Sequence, residues 1–357
     1  MDVGTTCFET KDRSFTLLDA PGHKDFIPNM ISGATQADTA MLVIDASKGG
    51  FESGFNHGGQ TREHAILVKS LGVSQLIIAI NKLDTVDWSK DRFEYIQQML
   101  IPFLKMIGFK ASNLFFCPLS GYKGENIIER NEDALTAWYR GPTLVELMNQ
   151  MEAPPQDASG PFRMPVYDCY KGAQGGLIVE GRIEAGVIQC GDQLRLLPLN
   201  ECTVVKRLEC LEQEVEWAMK GDRVTMTLTA LDPLQVGHGS LLCDPTRPPR
   251  LSQKIQVKVL TLDLDVPLTL GVPLVLHILQ YTEPCVISKV LSLHDKATGE
   301  IVKKNPRIVT KQSIVTMELR CERTIIVETF EECKALGRVT LRSGTDTVAV
   351  GRIVNVE

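Results

Sequence analysis

The sequence predicts a multi-domain protein, an α/β domain followed by two β-barrels. Three observations carry this. Short apolar runs alternate with helix-period segments over residues 1–153, a Pro-rich break falls at 153–161, and evenly spaced short β segments follow, divided by a second break at 244–249. A chain of 357 residues exceeds what one core usually supports.

In the first domain, 1–153, the apolar runs lie at 14–19, 40–45, 76–81 and 114–119. Helix-like segments lie between and after them, at 24–37, 61–71, 91–107 and 143–151. In the second helix Ala65, Leu67, Val68 and Leu71 keep a 3.6-residue period; in the third, Phe93, Ile96, Leu100, Phe103, Leu104 and Ile107 do the same. Strand–helix alternation implies a parallel sheet covered on both faces, with ligands at the carboxyl ends of its strands. The segment Ala153-Pro154-Pro155 through Gly160-Pro161 reads as a linker. Beyond it, short β segments are expected at 177–183, 193–197, 223–228, 254–262, 274–279, 286–293, 314–319, 324–328, 338–341 and 347–354. Asp244-Pro245-Thr246-Arg247-Pro248-Pro249 divides them into barrels at 160–246 and 250–357.

Composition excludes several classes. No apolar run approaches the roughly 18 residues a membrane span needs, and Met1-Asp2-Val3-Gly4 does not open a signal peptide. Ten cysteines stand singly with no CxxC pair, which argues against zinc and fits free thiols in a reducing cytosol. Net charge is −6, unevenly spread. Residues 1–249 carry 23 Lys and Arg against 32 Asp and Glu, whereas 250–357 carry 15 against 12. Lys303, Lys304, Arg307 and Lys311 cluster around Pro306 in that basic end, where they can meet RNA phosphate or form a solvated loop. His238, His277 and His294 are isolated and suggest no role, and Asp168 and Lys171 on the first barrel strand receive no assigned contacts.

Three short sequences at strand ends carry the chemistry. Asp19-Ala20-Pro21-Gly22-His23 follows the first run. An Asp there can hold magnesium through water, Gly22 can offer its N–H to a phosphate oxygen, and His23 can orient an attacking water. Asn81-Lys82-Leu83-Asp84 follows the third run. The Asp84 carboxylate can accept hydrogen bonds from guanine N1–H and N2–H₂, a donor pair adenine lacks. Asn81 can tie neighbouring loops, and the Lys82 stem can lie against the purine. Ser120-Gly121 follows the fourth run and can donate backbone N–H groups to guanine O6. Each sequence alone also suits an ordinary turn; their order and spacing together predict a guanine-nucleotide fold.

With these residues in place, the chain resembles the elongation factor 1-alpha/EF-Tu family. The resemblance runs through DAPGHKDFIPNMISGATQAD from Asp19, GGQTREH from Gly58 and NKLD from Asn81, and extends over both barrels. It implies a P-loop-type G domain that hydrolyses GTP to GDP and phosphate with magnesium, in the cytoplasm, with no membrane or DNA partner. Asp25 to Met30 would belong to the second switch, with Pro28 in an early helical turn. VIDASKGGFESGF from Val43, GYKGENIIER from Gly121, RIEAGVIQCGD from Arg182 and LGRVTLR from Leu336 resemble the branch of ribosome-rescue GTPases that deliver Pelota, a tRNA-shaped factor, to stalled ribosomes. Termination GTPases such as eukaryotic release factor 3 share a similar helix start and a late Glu328-Thr329-Phe330.

One family element is absent from these residues. No G-x-x-x-x-G-K-[S/T] occurs; Lys48-Gly49-Gly50 and Lys123-Gly124-Glu125 do not replace it. Met1 to Gly4 resembles the residues immediately after the first-switch threonine of relatives. The expectation is therefore a truncated G domain with an exposed sheet edge, uncovered apolar surface and a weakened grip on the phosphates, or a barrel module that binds partners without turnover.

Overall fold

The structure is a computed structural model that describes residues 3–22, 27–56, 59–153, 158–172, 176–210, 213–229, 236–237, 239–262, 264, 266–296, 298–344 and 346–357, with backbone alone at 28, 29 and 32. The chain divides into two compact units, Met1–Ala153 and Pro154–Glu357.

Unit 1 begins with β1 (Gly4–Glu9) and β2 (Ser14–Asp19), an antiparallel pair, followed by α1 (Ile27–Thr35). Then come β3 (Thr39–Asp45), α2 (Gly50–Phe55), α3 (Gln60–Ser70), β4 (Gln75–Asn81), α4 (Lys90–Met106), β5 (Leu114–Pro118), α5 (Asp133–Thr136) and α6 (Leu144–Gln150). β3, β4 and β5 form a three-stranded parallel sheet with β4 in the middle. The alternation of β4 shows why it is apolar throughout. Ile78 and Ile80 pack with Phe93, Ile96, Leu100 and Leu104 of α4, and Ile77 and Ala79 pack on the opposite face with Leu147 and Met151. Helix ends follow local chemistry. The Ser89 hydroxyl caps α4 by accepting from the Arg92 N–H at 3.2 Å, and Thr143 and Glu146 form a reciprocal capping box on α6.

The four apolar runs of the first domain all form strands, three of them in the parallel sheet. β1 and α2, which carry weak apolar periodicity, were not anticipated. The hairpin and the parallel sheet are separate hydrogen-bonded systems among the described residues. Among the described residues β3 has a strand partner on one side only, and Val43, mid-strand, is 57% exposed.

Unit 2 holds two barrels. The first contains β6 (Arg163–Lys171), β7 (Leu177–Arg182), β8 (Val187–Gln189), β9 (Gln193–Leu197), β10 (Glu201–Cys210), β11 (Gln213–Glu214), β12 (Trp217–Met219), β13 (Arg223–Leu228) and β14 (Leu241–Cys243). The second contains β15 (Arg250–Thr261), β16 (Leu268–Thr269), β17 (Pro273–Ile278), β18 (Tyr281–His294), β19 (Ile301–Lys304), β20 (Ile308–Val309), β21 (Ile314–Val327), β22 (Arg338–Ser343) and β23 (Asp346–Val356). Each closes as a ring of six antiparallel strands, β10-β13-β7-β6-β14-β9 and β17-β22-β23-β15-β21-β18, because β9 pairs back to β10 and β17 back to β18. The expected segments 314–319 and 324–328 prove to be one strand, β21.

The two barrels share a small core. Leu197, Leu241 and Cys243 of the first meet Leu279, Cys333 and Leu336 of the second. Beside it Arg163 is 2% exposed and pairs with Glu328, its Nη2 donating to Oε1 at 2.7 Å and to the Arg247 carbonyl at 2.7 Å. A charge buried this deeply is tolerated only with its hydrogen bonds filled, and they come from three chain segments at once.

Candidate functional site

The carboxyl ends of β4 and β5 lie side by side, since Ile80 is in register with Pro118. Asn81 joins the loops that leave them. Its Oδ1 accepts from the Gly121 N–H at 2.8 Å and from the Lys82 N–H at 2.7 Å. Lys82 occupies the left-handed region at φ 61°, and Leu83, fully buried, starts a short 3₁₀ turn that contains Asp84. Trp138 Nε1 donates to the Trp88 carbonyl at 2.9 Å and anchors the far end of this loop. Asn81, Lys82, Asp84, Ser120 and Gly121 are thereby gathered at one end of the parallel sheet.

Ser120 is completely buried and pairs its backbone with Glu125 in both directions. Glu125 in turn accepts from the Asn131 and Glu132 N–H groups at 2.6 and 3.0 Å. Asn126, also buried, donates to the Pro118 carbonyl at 2.6 Å. The Ser120-Gly121 turn is held from beneath, which leaves the Gly121 backbone exposed at the surface.

Asp45, at the end of β3 and in register with Asn81, adds a charge that sequence reasoning missed. Its carboxylate accepts from Lys82 Nζ at 2.6 Å and from the Ser47 N–H and hydroxyl at 2.9 and 2.5 Å. Burial alone raises the Asp45 pKa, but the hydrogen bonds from Lys82 and Ser47 outweigh it and hold the carboxyl below its ordinary value. A Cβ on Gly50 would meet Ser47 Oγ at 2.5 Å and the Asp45 carboxyl at 2.8 Å, so glycine allows this loop to fold across Asp45. Arg92 of α4 fixes the same loop, donating to the Ala46 and Ser47 carbonyls at 2.9 Å each and to both oxygens of Glu52. The Arg92 guanidinium brings Glu52 down to about 2.

The residues that the sequence assigns to the phosphate side belong to the other strand system. Asp19 closes β2 and is exposed, and Gly22 follows it. His23 lies outside the described residues. His64 of α3 packs on Gly22, its Cε1 3.7 Å from where a Gly22 Cβ would sit. Burial lowers the His64 pKa, opposed by a hydrogen bond with the Gly22 backbone, so the ring is neutral near pH 7. A signal for this contact existed in the sequence, as His64 ends the GGQTREH stretch, but the pairing is across 42 positions.

No group of three His, Cys, Asp or Glu side chains converges among the described residues. Magnesium keeps most of its waters and takes one or two carboxylates plus substrate phosphate oxygens, so a lone carboxylate is compatible with it. Asp19 offers one such carboxylate.

An NKxD loop pinned to an SG loop on a parallel sheet, followed by two six-stranded barrels, is the plan of a translational GTPase. The family described as Elongation factor Tu GTP binding domain matches residues 1–155, and that described as GTP-eEF1A C-terminal domain-like matches 254–354. Protein HBS1 of Drosophila melanogaster is 46% identical over all 357 residues, which cover 53% of that protein. The chain thus spans about half the length of this relative. Elongation factor 1-alpha of Thermofilum pendens is 35% identical over 100% of the chain and 82% of its own length. The crystal structure of Sup35 complexed with GDP superposes with a TM-score of 0.53 at 34% identity, covering 99% of this chain and 84% of that one. The chain belongs to the elongation factor 1-alpha/EF-Tu family of GTPases, and within it to the type that includes HBS1 and Sup35. No helix among the described residues is long and apolar enough to cross a membrane.

Proposed function

We propose that this chain is the GTPase arm of a cytoplasmic ribosome-rescue pair, which delivers a Pelota-type, tRNA-shaped factor to stalled ribosomes. Its 46% identity to HBS1 along the whole chain carries this reading. The nucleotide is guanine-based. Asp84 accepts from guanine N1–H and N2–H₂, Asn81 locks the loop and the Lys82 stem covers the purine. The Ser120 and Gly121 N–H groups already donate to the Glu125 carbonyl and to Asn81 Oδ1, so either one meets O6 only by exchanging that partner. Gly22 faces the terminal phosphoryl group and His23 orients the attacking water. Magnesium, when bound, neutralises phosphate charge, and Asp19 holds it through water.

Hydrolysis also needs the lysine, hydroxyl and N–H nest of a G-x-x-x-x-G-K-[S/T] loop, which the 357 residues lack. The chain by itself is therefore expected to bind the base better than the triphosphate. Pull-down against purified Pelota and against a class I termination factor tests the partner. Selective retention of Pelota supports rescue. Selective retention of the termination factor supports the second reading, release-factor-type termination, which the 34% identity to Sup35 motivates. Retention of Pelota with no detectable heat on GDP titration would leave the barrels as a binding module.

A further inference from the structure

The second barrel carries a sheet edge that its closed ring does not use. β19 pairs with β18 on one side and has no strand partner on the other among the described residues. All four of its residues are exposed, Ile301 at 53% and Val302 at 65%. Between Ile301 and Met317 the chain has four cations, Lys303, Lys304, Arg307 and Lys311, and no acid. None of the four has an ion-pair partner among the described residues.

This edge is held in place. Asn305, at φ 46°, donates its N–H to the Leu291 carbonyl at 2.9 Å. Pro306 is buried and Val309 is completely so, which turns Arg307 and Ile308 outward. Val309 and Ile308 pair with Leu268 and Thr269 of β16. The cations and the apolar pair are displayed by fixed backbone, unlike those of a solvated loop.

We propose that β19 accepts an extended acidic segment of a partner protein as an added antiparallel or parallel strand. Backbone groups of the free edge supply hydrogen bonds. Ile301 and Val302 meet apolar side chains on the two faces, and Lys303, Lys304 and Arg307 meet carboxylates. Two features select this occupant. A second copy of the chain would bring the same lysines to the same edge and be repelled, the usual protection of edge strands by charge. RNA would use the cations but has no use for an unpaired edge flanked by exposed Ile and Val. The proposal is independent of the nucleotide site.

The test is fluorescence anisotropy of the full chain with a labelled nine-residue peptide of alternating Glu and Val. Saturable binding is expected. It should weaken at least tenfold in the K303E/K304E variant, whose exposed positions leave the fold intact by circular dichroism. It should weaken as much when alternate amides of the peptide are N-methylated, which keeps its charge and removes its strand-forming N–H groups. No saturable binding, or equal binding of the N-methylated peptide, overturns the proposal. So does a twelve-residue uridine oligonucleotide that binds more tightly with the same lysine dependence, which would assign the surface to RNA.

Discussion

The two units end their sheets in opposite ways. In unit 2 each barrel returns its last strand to its first, so that Val257, Met317 and Leu319 sit at 0% exposure on a closed wall. In unit 1 the hairpin and the parallel sheet each keep a free edge among the described residues, and Val43 stands 57% exposed in mid-strand. The nucleotide residues follow this division. The residues proposed to bind the base leave the carboxyl ends of the paired strands β4 and β5, whereas Asp19 and Gly22, proposed for the phosphates, follow the hairpin. Rigidity is therefore distributed unequally: the residues proposed for the base are held by backbone pairing and the Asn81 hydrogen bonds, and Gly22 leans on α3 through His64.

The largest effect expected of this contrast is at the barrel junction. Arg163→Ala leaves Glu328 buried without its cation and should cost about 3–5 kcal/mol in urea unfolding of unit 2. A cost under about 1 kcal/mol would show that the barrels do not depend on this pair. The paired replacement R163M/E328L should recover most of the loss, because the penalty belongs to the unpaired charge.

The second effect is acid sensitivity of the same barrel wall. His277 is 4% exposed, and burial, aided by the Arg342 charge, lowers it from 6.5 to about 4. The folded state thus resists a proton that the unfolded state accepts. Stability is unaffected above pH 6.5 and falls as pH drops from there towards 4, by about 3 kcal/mol at pH 4. His277→Gln should remove that part of the acid dependence, read as a smaller difference in urea midpoint between pH 7 and pH 4.5.

The third comparison lies within one strand. Ile44, 2% exposed, faces the core of unit 1, and Ile44→Ala should cost about 2–4 kcal/mol. Its neighbour Val43 faces the open side, and Val43→Ala should cost about 0.5 kcal/mol or less. A Val43 cost equal to that of Ile44 would mean that this face of β3 is covered in solution.

Much of this was legible in the sequence. The strands that end at Asp19, at Asn81 and just before Ser120, the periodic helices 61–71 and 91–107 and the break near residue 153 depend on local patterning, and patterning is what a sequence displays. The pairings that hold the site together were not legible. Asp45 with Lys82 spans 37 positions and Arg163 with Glu328 spans 165. Nothing in either segment alone identifies its partner, because each cation has many carboxylates within reach in sequence and only the fold chooses one. Arg92, an unremarked helix residue in the sequence, likewise gains its part in holding the 46–52 loop only once α4 lies beside it.

The most direct measurement is calorimetric titration of this chain with GMP, GDP and GTP, repeated with Asp84→Ala. The account predicts affinities within about threefold of one another across the three nucleotides, and loss of all three in Asp84→Ala, because Asp84 is proposed to read the base and the 357 residues hold no G-x-x-x-x-G-K-[S/T] loop for the phosphates. GDP binding a hundredfold tighter than GMP, or nucleotide binding untouched by Asp84→Ala, would contradict it.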